Sequence, residues 1–336
     1  MITTLKKAMY FNKLKNNFVK CNLCRKHCII KEGDYGDCNA RKNIGGNLYS
    51  MVYGRIASLG IDPIEKKPLF HFFPGEQTLS YATSGCNFHC KFCQNWEISQ
   101  QKPKNVVYEE ISPEGMVNIA KNHSLNIISH TYTEPTVFYE YSFEVAEKSN
   151  LLGMKNVFVT NGYIEYAPLK KISKFLDAAN IDLKGFNEKF YRNVCGAELD
   201  EVLKSIKLYK KYKIHIELTN LVIPQKNDNF DEIKQMCEWI IKELGKNVPL
   251  HFSAFFPSYK MRSSAPTNPK TLYKAKEIAV DSGIRYVYAG NIDAEENTYC
   301  YKCNHLLIKR RNFKVLLNNL VGGRCPNCGA KQYFVF

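Results

Sequence analysis

Three cysteines carry the clearest chemical signal in this chain. Cys86, Cys90 and Cys93 stand at spacing C-x3-C-x2-C within Ser84-Gly-Cys-Asn-Phe-His-Cys-Lys-Phe-Cys-Gln-Asn-Trp96. A tetrahedral zinc site or a conventional iron–sulfur cluster takes four protein ligands, and this loop supplies three. Three thiolates can hold a [4Fe–4S] cube and leave one iron open to an outside ligand, as an open catalytic metal site does. Gly85 suits a tight turn and Asn87 can turn back on its own backbone, so the loop can fold around a cube. The competing reading is a zinc site completed by His89 or by a distant cysteine.

Two further cysteine sets flank this loop. Cys21, Cys24, Cys28 and Cys38 (C-x2-C-x3-C-x9-C) are four soft ligands, enough for a closed zinc or iron–sulfur site. Their spacing does not choose between the metals, and zinc is the default for so small a knuckle, with a second cluster as the alternative beside a redox enzyme. Cys300-Tyr-Lys-Cys303 and Cys325-Pro-Asn-Cys328, separated by 21 residues, read as a zinc ribbon whose metal folds a segment too small to fold alone. Of the remaining two cysteines, Cys237 sits on an apolar helix and reads as core. Cys195, in Asn193-Val-Cys-Gly, falls in a loop of the expected active rim and is a candidate catalytic thiol.

The elements that must position these groups follow a regular alternation from Gln77 onward. Strand 78–83 delivers the cysteine loop, and a helix over 113–122 opens with Ser112 as N-cap and Pro113 at its first position. Strands are expected at 126–132, 155–160, 179–184, 214–223, 249–255 and 285–289. Helices at 136–148, 165–176, 198–211, 229–244 and 270–282 separate them. The strands are short apolar runs, as in a parallel sheet buried on both faces. This α/β pattern predicts a partial (β/α)6 barrel over 76–292, with function at the C-terminal strand ends. Polar residues gather there: Glu134 beyond strand two, Thr160 and Asn161 beyond strand three, Asp182 and Lys184 on strand four, Glu217 and Asn220 on strand five, His251 on strand six.

Outside the barrel, residues 1–75 form an N-terminal segment. Apolar positions predict a helix over 1–20, followed by the four-cysteine set and weak strands at 47–52 and 55–59. Asp62 to Gly75 has no periodicity and is expected to lie against the cluster segment. Residues 293–336 form the ribbon, with strands at 306–308, 314–317 and 333–336. The net charge of +15 comes from the two ends: residues 1–31 and 297–336 carry eight and seven basic residues and no acid, whereas the middle holds 32 of each sign. Basic ends can offset anionic thiolate sites or meet an acidic protein or nucleic acid. No run of eighteen apolar residues exists and Met1–Lys20 lacks a signal-like apolar core, so the expected location is cytoplasmic, with no membrane contact. Thirteen cysteines in such a chain point to metals and catalysis before disulfides.

The cysteine loop, with Phe92 before its third cysteine, resembles the signature of radical SAM enzymes. Cys21 to Cys38, Asp62-Pro-Ile-Glu-Lys-Lys-Pro-Leu, His71-Phe-Phe-Pro-Gly, Thr131-Tyr-Thr-Glu-Pro-Thr and Asn180-Ile-Asp-Leu-Lys-Gly-Phe extend the likeness. Together they resemble the AmmeMemoRadiSam-system radical SAM proteins, relatives of the pyruvate formate-lyase activating enzymes. The resemblance implies a [4Fe–4S] cluster on Cys86, Cys90 and Cys93 whose open iron binds S-adenosylmethionine (SAM), with Phe92 beside the adenine. It places Glu134 at the SAM amino group, Lys184 at the carboxylate and His251 near the ribose. Asp182 would line a monovalent cation site with Thr160 and Asn161, although the acid that precedes this Thr-Asn-Gly in the activating enzymes is Val159 here. The implied reaction is reductive SAM cleavage to a 5′-deoxyadenosyl radical that abstracts hydrogen, fed by a low-potential donor of ferredoxin or flavodoxin type. The substrate is left open. Glycyl-radical activation of a protein, RNA modification and non-catalytic electron transfer are the rival functions.

Overall fold

The computed structural model describes residues 5–336. Its centre is an eight-stranded sheet curled into a partial barrel. Seven strands run parallel in chain order: Gln77–Ala82, Ile127–His130, Lys155–Thr160, Ala178–Asp182, His215–Val222, Leu250–Ala254 and Val287–Gly290. Helices Pro113–Asn122, Tyr139–Asn150, Tyr166–Ile172, Leu199–Lys211, Phe230–Leu244 and Pro269–Asp281 alternate with them. The parallel strands are buried along nearly their whole length, which is why they read as continuous apolar runs. Helix starts follow local capping chemistry. The Ser112 hydroxyl accepts from the Gly115 amide ahead of Pro113, and Asn229 and Asn268 cap the two helices that begin after them.

An eighth strand was not expected. Ser58–Pro63 runs antiparallel to Gln77–Ala82, in register from Ser58 opposite Ala82 to Pro63 opposite Gln77. The expected short strand at 55–59 is therefore displaced: Arg55–Ile56 pairs with Glu109–Glu110, and the longer strand begins at Ser58.

From Pro63 the chain turns through Ile64–Lys66 and crosses under the barrel. Pro68 accepts from the Asn180 side chain, and the amides of Phe70 and His71 donate to Glu217, at 3.0 and 2.7 Å. The stretch 62–75 thus seals the barrel floor instead of lying on the cluster segment. Proline and a run of bulky aromatics leave it without a repeating pattern, but they suit a plug whose polar backbone is satisfied by barrel side chains.

The helix expected over 1–20 is replaced by strands Lys6–Lys7, Phe11–Lys13 and Val19–Cys21 with a short 3-10 turn at Lys15–Asn17; residues 1–4 lie outside the described residues. Tyr10, Asn16 and Asn17 have left-handed backbone, which no helix accommodates, and Phe11–Lys13 pairs with Val19–Cys21. The i, i+4 apolar spacing in this stretch was coincidental with a tight hairpin.

At the other end, Thr298–Tyr299, Leu306–Arg311 and Lys314–Asn318 form the ribbon sheet. The strand expected at 333–336 is not part of it. Val335 instead bridges Phe72 on the floor plug, so the chain terminus docks on the barrel. Arg310, fully buried, donates to the Phe70 carbonyl at 2.6 Å and stands over the Phe70 ring.

Candidate active site

The loop that follows strand Gln77–Ala82 turns sharply at Gly85, whose φ is +100°. A Cβ there would lie 2.6 Å from the Cys38 carbonyl, so the turn requires glycine on both conformational and steric grounds. Asn87 does not turn back on its own backbone as expected. Its amide donates to the Tyr163 carbonyl at 2.9 Å and accepts from Asn161 at 2.8 Å, tying the loop to the end of the third parallel strand. The loop is also zipped to Tyr191–Cys195: the amides of His89 and Lys91 donate to the carbonyls of Cys195 and Val194.

Cys86, Cys90 and Cys93 line a cleft of about 550 Å³ at the C-terminal strand ends. Phe92, Glu134, Thr160, Asn161, Asp182 and Lys184 line the same cleft. Two observations weigh against the zinc alternative. Both His89 nitrogens are engaged, Nδ1 with Gln100 at 2.8 Å and Nε2 with Asp37 at 3.0 Å, so the ring is not a fourth ligand. Tetrahedral zinc with its ~2.3 Å bonds also needs sulfurs ~3.8 Å apart. Among the described residues, the one group of three or more ligands within 4.8 Å of one another is Cys300, Cys303, Cys325 and Cys328. Cys86, Cys90 and Cys93 do not form such a group, and the further cysteine beside them, Cys195, is buried behind Cys90 and does not line the cleft.

Around the triad the polar groups are held firmly. Glu134 is buried and accepts from the Thr136 amide and hydroxyl, the Thr160 hydroxyl and the Asn161 amide, all at 2.6–3.0 Å. Burial raises its carboxyl from the ordinary value while these donors pull it down. Asn161 also approaches the Cys86 sulfur, at 3.8 Å. Lys184 sits 3.0 Å from Asp182 and 5.8 Å from the centre of the Phe92 ring. Burial works against its charge, but Asp182 and the neighbouring cysteines raise its pKa well above the ordinary value, leaving a fixed cation at the cleft wall. Phe92 is buried and stacked parallel to Phe190.

Two expected site residues lie elsewhere. His251 is off the cleft wall: its Nε2 meets Glu217 at 2.8 Å in the barrel floor, and Ser253, two residues on along the same strand face, lines the cleft instead. Cys195 is fully buried behind Cys90 and is not a cleft residue, so its thiol does not face the active rim. A hydrogen bond from Cys195 lowers the Cys90 thiol from its usual value.

The structure adds Lys66, Lys67, Tyr132, Thr219 and Asn291 to the cleft. Lys66, Lys67 and the Tyr132 hydroxyl all converge on Asp62, at 2.8, 2.6 and 2.5 Å. The paired lysines of Asp62-Pro-Ile-Glu-Lys-Lys were the available signal, but nothing local showed that the floor plug reaches the cleft from beside the barrel's open edge.

Comparisons with known proteins bear on the family and the fold. The Radical SAM superfamily model matches residues 80–240. The uncharacterized protein MJ0808 of Methanocaldococcus jannaschii is 48% identical over 97% of this chain and 98% of its own length. A protein of the same archaeon named for glycyl-radical enzyme activation, MJ1632, is 27% identical over 60% of this chain and 76% of its own. Among solved structures, Streptococcus suis SuiB bound to its precursor peptide SuiA superposes with a TM-score of 0.52 at 14% identity, over 68% of this chain and 51% of that one. The chain belongs to the radical SAM superfamily and is a radical SAM enzyme.

Proposed function

We propose that the protein cleaves SAM reductively at a [4Fe–4S] cluster held by Cys86, Cys90 and Cys93 and uses the resulting radical to abstract hydrogen from a substrate. The observation that carries this reading is the three-cysteine wall of a polar cleft with His89 locked away from it. When bound, the cluster supplies one electron, which splits SAM into methionine and a 5′-deoxyadenosyl radical. The chain's own residues bind and orient. Lys184 offers a fixed cation for the SAM carboxylate, and Phe92 an apolar face for adenine. Glu134, with Thr160 and Asn161, offers a carboxylate edge for the amino group. Holding the radical within the cleft shields it from side reactions with groups in bulk solution. Hydrogen abstraction then yields 5′-deoxyadenosine and a substrate radical.

The electron comes from a low-potential donor of ferredoxin or flavodoxin type, in the cytoplasm. Zinc at Cys300, Cys303, Cys325 and Cys328 is structural: their sulfurs pair at 3.6 Å, and the ribbon they close carries Arg310 into the floor plug. A second reading, activation of a glycyl-radical protein, is supported by the similarity to MJ1632.

The test uses anaerobic protein, dithionite and SAM, with 5′-deoxyadenosine and methionine quantified. Both products from wild type and neither from Cys90→Ala are expected. A fully loaded cluster that gives no product and an EPR spectrum unmoved by SAM would overturn the proposal. A partner chain that acquires a glycyl radical would select the second reading.

A further inference from the structure

Cys21, Cys24, Cys28 and Cys38 are not used by the reaction above. They wall a cavity together with Gly36, Arg41 and Asn87. We infer that these four cysteines ligate a second [4Fe–4S] cluster, closed on all four irons, directly behind the catalytic loop, and that they do not bind zinc.

Sulfur spacing separates the two metals. Zinc draws four thiolates onto one atom, ~3.8 Å from each other, whereas a cube carries one thiolate on each of four irons and spreads them wider. The same chain provides a reference for each case. The C-terminal quartet has all its sulfurs within 4.8 Å, as one zinc demands. No three sulfurs of the N-terminal quartet meet that limit, and neither does the Cys86–Cys90–Cys93 triad. The N-terminal set surrounds one cavity without closing to the single-ion spacing that the ribbon shows.

Arg41 supplies an independent observation. It lines the cavity, is 1% exposed and is ion-paired with Glu140. Its Nη1 lies 3.5 Å from the Cys21 sulfur, and its Nε finds no partner within the protein. A buried guanidinium with an unused N–H suits an anionic occupant that bears additional acceptors. The inorganic sulfides of a cube are such acceptors; a zinc ion surrounded by thiolates adds none beyond the cysteines themselves.

The two sites touch. Gly85 of the catalytic loop is pressed against the Cys38 carbonyl. Asn87 lines the N-terminal cavity and accepts from Asn161, the residue that approaches the Cys86 sulfur. One asparagine pair thus separates the two cysteine sets.

The test is anomalous diffraction from crystals of the full chain purified anaerobically, recorded on both sides of the iron and zinc edges. Iron density is expected within both Cys21–Cys38 and Cys86–Cys93, and zinc density only within Cys300–Cys328. Zinc in the N-terminal quartet, or an empty quartet, would overturn the inference while leaving the catalytic cluster untouched. In solution, the Cys86→Ala/Cys90→Ala/Cys93→Ala variant should lose SAM cleavage yet retain about half of the wild-type iron and acid-labile sulfide, from one of two four-iron clusters. Complete loss of iron from that variant would also overturn the inference.

Discussion

The mouth and the floor of this barrel are built from the same strands and from similar polar residues, yet they are organised oppositely. At the mouth, Cys86, Cys90, Cys93, Asp182 and Lys184 face an open cleft. At the floor, Glu217 is enclosed and accepts from two backbone amides, from His251 at 2.8 Å and from His215 at 3.2 Å. Burial alone would raise the Glu217 carboxyl, but the two histidines hold it well below the usual carboxylate range. His71, on the same floor, spans the Tyr333 carbonyl and the Tyr288 hydroxyl, both at 2.6 Å. The mouth's polar groups, although hydrogen-bonded among themselves, line space that a ligand can enter, and the floor uses its own to fasten the 62–75 plug and the chain terminus. Polar residues inside a barrel are thus evidence of a site where they also border accessible space.

This contrast predicts that mouth substitutions remove activity and floor substitutions remove stability. The largest effect is expected for Cys90→Ala, which should abolish 5′-deoxyadenosine formation while its circular dichroism retains the barrel signature. Next comes Glu217→Ala. It strands two amides and two imidazoles in the interior and should cost about 3–5 kcal/mol in denaturant unfolding. Lys184→Met should raise the KM for SAM about tenfold, equivalent to ~1.4 kcal/mol, with a smaller change in unfolding midpoint.

His251→Phe sharpens the comparison. As a floor residue it should lower stability by about 1–2 kcal/mol and leave SAM affinity unchanged. A large rise in KM would return His251 to the mouth.

The smallest effect concerns pH. Burial pushes the His71 imidazole down to about 3. The unfolded chain protonates this group near its ordinary value of ~6.5, whereas the folded chain does not until far lower. Its contribution is therefore fully present above pH ~6.5 and is lost as pH falls below it, by ~1.4 kcal/mol per pH unit. Unfolding midpoints between pH 7.5 and 5.5 should show a shallower slope in His71→Gln. An unchanged slope would mean that this ring is not held neutral.

The barrel itself was legible because its signals are local. Short apolar runs alternate with helices that start on Ser112–Pro113, Asn229 and Asn268–Pro269, and cysteine spacing within one loop is a covalent fact. The same chain order brought Glu134, Thr160, Asn161, Asp182 and Lys184 to one rim, because parallel strands place their C-terminal ends together. His251 stands in register with the cleft residue Thr219, but its ring turns to Glu217, a contact that a strand position in the sequence does not show. Ser253, on the same face, is the residue that reaches the cleft.

Tertiary structure alone decided the rest. The floor plug is held by contacts between residues more than a hundred positions apart, such as His71 with Glu217 and Arg310 with Phe70, and no periodicity within 62–75 encodes them. Left-handed residues turned an apparently helical N-terminus into a hairpin. The spacing of Cys21, Cys24, Cys28 and Cys38 names four ligands of a closed metal site but does not choose between zinc, the default for so small a knuckle, and a cluster. The distance between their sulfurs depends on the path of the chain through space, and that distance separates one metal atom from a cube.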